Sequence, residues 1–269
     1  NALDGATAPD RVTAIGSAAL RGNITADAQG AVGVGYGALN QLTSGAGNVG
    51  VGYQAGYAIT TSQYNTILGH NALKAEVTRG TAVAIGYGAL QDQTHGSDGA
   101  NSENVGVGFL ALSENVTGKS NTAVGFEAMK GASGQSNSFN VAVGAQSLLD
   151  ITTGVNNTAL GYQSAYNLTS GNDNIALGYK ALFTATDANN IVALGDFAGY
   201  SVNSGDAGGS VFIGKDAGYA ITEGQYNVMI GQTAGSEETV GDRMTFVGHR
   251  AGYRTAGLGN LDNTFIGWE

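Results

Sequence analysis

One short pattern recurs along the whole chain: Asn, a β-branched residue, a variable residue, an aliphatic, then Gly. Asn65-Thr66-Ile67-Leu68-Gly69, Asn121-Thr122-Ala123-Val124-Gly125 and Asn157-Thr158-Ala159-Leu160-Gly161 are three copies. The anchor glycines are Gly16, Gly35, Gly52, Gly69, Gly86, Gly108, Gly125, Gly144, Gly161, Gly178, Gly195, Gly214, Gly231, Gly248 and Gly267; of their fourteen spacings nine are 17 residues, four are 19 and one is 22. A unit this short has too little apolar area to fold alone. It must stack on its neighbours and share a core with them.

The columns of the repeat are stricter than its spacing. The residue before the anchor Gly is Ile, Val or Leu in all fifteen copies, and the residue three before it is Val, Thr or Ile in all fifteen. Two such positions two apart place both side chains on one face of a strand, and β-branching favours the pleat. Gly then permits a corner with φ > 0 or a close backbone approach. Gly52, Gly69, Gly86, Gly108, Gly125, Gly144, Gly161, Gly178, Gly195, Gly214, Gly231 and Gly248 are therefore expected to be structural corners. Three residues on stands Ala in twelve of the fourteen complete copies, and Ser147 or Ser164 in the other two, which points to another backbone close by.

The second half of each copy is looser. An aliphatic seven residues after the anchor, as at Leu42, Ile59, Ile151, Leu168 and Ile221, is often followed by Thr and then a second Gly. This reads as a second short strand and a second turn. Helix is disfavoured, because no 3.6-residue stripe survives and each Gly costs about 1 kcal/mol inside a helix. The expected fold is all-β: a β-solenoid or β-roll of about fifteen coils of 17–19 residues, with residues 1–11 as a lead-in and 12–269 as one continuous repeat domain.

Composition removes several function classes. The chain has 45 Gly, one Pro and no Cys, so neither collagen nor a disulfide or thiolate-metal framework fits. Its net charge of −10, with only 11 Lys and Arg, opposes nucleic-acid binding. No apolar run approaches the ~20 residues of a membrane-spanning helix, so no membrane insertion is expected. The start at Asn1 rather than Met suggests a fragment or a processed product.

Few constellations suggest chemistry. Gly118-Lys119-Ser120 has Ser113 where a phosphate loop needs its first Gly, and Gly33, Gly35 and Gly37 lack a βαβ context. His95 stands beside Asp92 and Asp98 in the longest insertion, while His70 and His249 follow anchor glycines ten coils apart. The pair Glu237-Glu238 reads as a solvated turn rather than two carboxylates across a cleft. No catalytic, cofactor or metal site is expected, and the chain is not expected to be an enzyme.

Two columns remain. Asn at the head of nine copies fits an asparagine ladder better than a glycan site. Tyr36, Tyr53, Tyr87, Phe109, Phe126, Tyr162 and Tyr179 directly follow their anchor Gly, and Tyr57, Tyr200, Tyr219 and Tyr253 stand four residues later in Ala-Gly-Tyr copies. Packing between coils or subunits is the favoured role for these rings, and a ladder that stacks sugar faces is the functional alternative.

The pattern Asn-Thr-Ala-Val-Gly-x-x-Ala, seen at Asn121–Ala128, resembles two groups over about Val12 to Trp268. One is the head repeat of trimeric autotransporter adhesins. The other is the Gly/Asn-rich repeat region of phage tail fibres, to which the longer period and the aromatic after Gly are more similar. The resemblance implies a parallel β-roll, three chains around an axis, and attachment to a host-surface glycan or protein. It also implies a place on a virion tail fibre, or else outside a cell or on its surface. A bacterial adhesin head, an extracellular filament subunit and a polysaccharide-depolymerising spike are the alternatives.

Overall fold

The computed structural model describes residues 2–3, 11–25, 27–78, 80–94, 101–132, 134–203, 208–253 and 262–268. Of the lead-in 1–11 only Ala2, Leu3 and Arg11 are among them, and His95 and Asp98 lie outside them. The chain is an all-β parallel β-solenoid, with no helix among the described residues. Among the described residues fifteen strands of three residues follow one another, from Thr13–Ile15 to Thr264–Ile266. Two compact units divide them, Asn1–Asn137 and Ser138–Glu269.

Within each unit every strand pairs in parallel with the next, one repeat on. Val32, Gly33 and Val34 pair with Val49, Gly50 and Val51 in the first unit; Thr158, Ala159 and Leu160 pair with Ile175, Ala176 and Leu177 in the second. The register locks because each strand is closed by its corner Gly. At Gly178 φ is +137°, and a Cβ built there would lie 2.5 Å from the carbonyl of Gly195 in the next coil. No L side chain suits either condition, so Gly is required by geometry and by space at once.

The strand's middle residue points inward and the two flanking residues point outward. Ile67, Ala123, Ala159, Phe212 and Phe246 are buried, while Leu68, Leu160 and Ile175 are 49%, 48% and 40% exposed. The aliphatic pair that defines the repeat therefore lines the outer face of the sheet. The interior is filled by four other positions: the strand middle, the Ala three after the anchor, and the residues four and seven after it. Ala38, Leu39 and Leu42 are such a set.

These interior positions trade volume. Where the strand middle is Gly, a Leu from the turn before it fills the space: Leu20 against Gly33, Leu39 against Gly50, Leu90 against Gly106. Where the strand carries Phe212 or Phe246, the turns hold Gly199, Gly218, Gly235 and Gly252, and a Cβ at any of them would strike the ring. The Ala-Gly-Tyr copies in the last third are thus the consequence of large strand residues inside the coil. Close packing permits one arrangement or the other but not both.

Among the described residues the expected second strand does not form. Only isolated bridges, such as Ser138 to Val155 and Glu223 to Val240, occur in that half of the coil. Left-handed residues bracket the segment, as with Ala165 (φ +49°) and Asp173 (φ +58°), and leave too few extended residues for a ladder. A threonine column replaces it. Thr43 Oγ1 donates to the Thr60 carbonyl at 3.0 Å, Thr60 to Val77 at 3.1 Å, Thr152 to Thr169 at 2.9 Å and Thr169 to Thr186 at 2.8 Å.

Candidate functional site

The asparagine column lies inside the coil. Asn140, Asn157 and Asn174 are buried, and each side chain bonds along the stack and across the turn at once. The Asn157 Oδ1 accepts from the backbone N and the Nδ2 of Asn174 at 3.1 and 3.0 Å. Its Nδ2 donates to Asn140 Oδ1 at 3.1 Å and to the Gly171 carbonyl at 2.8 Å. The first unit repeats this with Asn48 and Asn65, where Asn65 donates from N and Nδ2 to Asn48 Oδ1 at 3.0 and 2.8 Å. All four hydrogen-bonding positions of such an amide are spent internally, which leaves nothing for a ligand.

Interior position also decides the carboxylates. Glu238 does not lie in a solvated turn: it is buried, because the position seven after Gly231 points into the coil, as Leu168 and Ile221 do. Glu76 holds the same position after Gly69 and is buried too. Its Oε1 accepts from the backbone N of Val77 and Thr78 at 3.1 and 3.2 Å, and its Oε2 accepts from Gln93 at 3.2 Å. On the surface, burial pushes the Glu114 carboxyl above its usual range, and the neighbouring Asp92 adds to this. Partial burial alone does the same for Asp150.

The rings after the anchor glycines form a stack. In the first unit Tyr36, Tyr53, His70, Tyr87, Phe109 and Phe126 follow one another with centroids 4.7–5.3 Å apart and planes within 16°. In the second unit Tyr162 stacks on Tyr179 at 5.6 Å. These rings remain partly exposed, from 41% at Tyr179 to 52% at Tyr36. Tyr53, His70, Tyr87 and Phe109 expose only their edges, because a ring stacked on both sides has no free face, while Tyr36, Phe126 and Tyr162 end their stacks with a ring against one face only. A sugar stacks on a ring's face, so the column acts as a spine between coils.

A second ring column joins residues that the sequence reading did not connect. Tyr166, Phe183, Tyr200 and Tyr219 stack at 5.2, 5.2 and 5.0 Å, each five residues after its anchor Gly. The signal for Tyr166 and Phe183 was their fixed offset in consecutive coils, hidden because neither follows an Ala-Gly pair.

The outer sheet face has a single chemical character. At every outward strand position from Thr13 to Ile266 stands Val, Ile, Leu or Thr, with no charged residue among them. Each unit so presents a strip two side chains wide, uncharged and regular from strand to strand. A water-exposed surface of this kind departs from the scattered apolar residues normal on a monomer and marks an interaction surface. No family model matches the chain, and neither does a curated protein or a solved structure.

Proposed function

We propose that the chain is the repeat segment of a homotrimeric adhesive fibre, of the kind found in phage tail fibres, which attaches to a host-cell surface through a glycan or protein receptor. The outward strip of Val, Ile, Leu and Thr carries this reading. Its occupants are two further copies of the same chain. The strip is narrow, so it suits three sheets converging on an axis better than two broad sheets packed face to face. It is uncharged, so identical copies meet without repulsion although each carries a net charge of −10. It repeats with the strand spacing, so copies in the same orientation match along their length. A fibre has no need of a catalytic pocket; rigidity and surface are what it supplies, and the buried amide and stacked-ring columns provide the first.

Light scattering after size exclusion is expected to give three chain masses at micromolar concentration. Ile175→Glu combined with Leu177→Glu, two outward residues of one strand, is expected to lower this to one chain mass while the β circular-dichroism signal persists. A wild-type monomer would remove the fibre reading. A dimer would keep self-association through this face and remove the threefold arrangement.

A further inference from the structure

Each unit carries a copy of one surface feature that the repeat does not require. Residues Ala55–Asn65 and Ala217–Asn227 agree at nine of eleven positions, reading Ala-Gly-Tyr-Ala-Ile-Thr, two variable residues, then Gln-Tyr-Asn. Ordinary coils share far less in this half of the repeat. The second tyrosines, Tyr64 and Tyr226, occupy the position before the anchor Asn. Their φ angles are +57° and +59°, as for Ser120, Asp173 and Arg243 at the same place in other coils. That left-handed conformation throws the side chain outward at the edge of the coil.

Both rings are seated in the same way. The coil before each one has Gly at the equivalent place, Gly47 under Tyr64 and Gly209 under Tyr226, and a Cβ on either Gly would lie 2.8 Å from the ring's Cδ1. The glycine backbone thus supports one side of the ring. The tyrosines are 64% and 61% exposed, and among the described residues neither stacks on another ring. This separates them from the rings inside the columns, such as Tyr53, Tyr87 and Phe109, both of whose faces are covered. A bulky left-handed residue is strained, and holding an unstacked ring in water brings no packing gain to offset that cost.

The surroundings are polar and uncharged. Tyr64 borders a depression of about 240 Å³ with Thr61, Gln63, Thr78 and Asn101. Tyr226 borders one of about 310 Å³ with Asn189, Asn190 and Gln225. The side-chain amides of Gln63 and Gln225 and both phenol hydroxyls make no hydrogen bond within the described chain. A supported ring beside unspent amides and hydroxyls matches the two sides of a sugar, a C–H face and a rim of hydroxyls. Among the described residues no cation lines either depression, and the net charge of −10 repels anionic sugars.

We propose that Tyr64 and Tyr226 are two equivalent saccharide platforms, one in each unit, each stacking an uncharged hexopyranose or N-acetylhexosamine of a surface glycan. Gln63 with Asn101, and Gln225 with Asn190, bond its hydroxyls. This assignment rests on the adhesive reading above and specifies its ligand class. It has no dependence on how the two units are arranged.

The test uses the full chain and neutral hexasaccharides of glucose, mannose, galactose and N-acetylglucosamine, followed by saturation-transfer NMR and calorimetry. At least one is expected to bind with two sites per chain and to receive saturation from tyrosine ring protons. Tyr64→Ala and Tyr226→Ala should each remove one site, and the double variant should weaken binding at least about tenfold. The double Phe variant keeps the rings and should stay within about threefold. The variants touch exposed rings, so an unchanged thermal midpoint shows that the fold is intact. No binding by any of the four sugars, or unchanged binding by the double Ala variant, overturns the assignment. The mass and host-cell binding of that variant separate the two readings. A trimer that still binds cells would leave the fibre standing without these platforms, and a monomer with tyrosine-dependent sugar binding would leave the platforms without the fibre.

Discussion

Phe212→Ala is expected to destabilise the second unit by about 3–5 kcal/mol, the usual cost of emptying a buried aromatic site. Gly199→Leu alone should cost about 1–3 kcal/mol, because its side chain would press on the Phe212 ring, whose Cδ2 lies 2.8 Å from where the Cβ must go. Combined, the two changes are expected to cost less than Phe212→Ala alone. The double variant rebuilds the arrangement in which a turn Leu packs on a small strand residue, as Leu90 does on Gly106. The left-handed backbone is one that Leu already adopts at this place in the coil, since Gly199 has φ +58° and Leu90 sits at +53°. Urea unfolding of the two singles and the double measures this coupling directly. Additive losses would show that the trade of volume between strand and turn is coincidence rather than packing.

Asn157→Ala is the second large effect expected, about 3–4 kcal/mol. The change removes the acceptor for the Asn174 backbone N and the donor for the Gly171 carbonyl, both inside the coil. It also takes a partner from Asn140 Oδ1. Buried groups left without partners cost about 1–3 kcal/mol each, and neighbouring amides recover part of that. Asn156→Ala is the control, because its Nδ2 bonds Asp173 in the open, and it should cost under about 1 kcal/mol. Hydrogen exchange localises the result: the Asn174 amide should exchange faster in Asn157→Ala and unchanged in Asn156→Ala. Equal losses from both substitutions would mean that the internal ladder contributes little.

The solenoid was legible in the sequence because its constraints fall on single columns. A corner that excludes every side chain but hydrogen leaves Gly at fixed intervals, and a three-residue strand leaves its β-branched pair. Which side of that strand faces in was not legible. Val-Gly-Val and Thr-Ala-Leu look alike whether the aliphatics are inside or out, and the interior conserves a sum of volumes rather than a residue type. Gly33 with Leu20 and Phe212 with Gly199 fill the same space with opposite sequences. Glu238 was misread for a related reason, since one acidic residue in an aliphatic column looks like a turn until the coil's phase is known. The second strand was overread from Leu168 and its equivalents, where one inward side chain between left-handed residues suffices. Tyr64 and Tyr226 were hidden because their column holds residues as different as Gly47, Glu103, Ser120, Phe139, Asp173 and Arg243 elsewhere. The longest near-identical segment shared by the two units was the signal that could have found them.

The hydrogen bonds that hold each coil join it to the next along the chain, most of them across 16 to 18 residues. Such a fold places little demand on distant parts of the polypeptide meeting. Topologies dominated by near neighbours fold fast, and a ribosome delivers about 5–20 residues per second. A coil can therefore settle on its predecessor about a second after it emerges, with the finished turn serving as the template for the one being made. Within each unit the chain can be built in the order in which it is read.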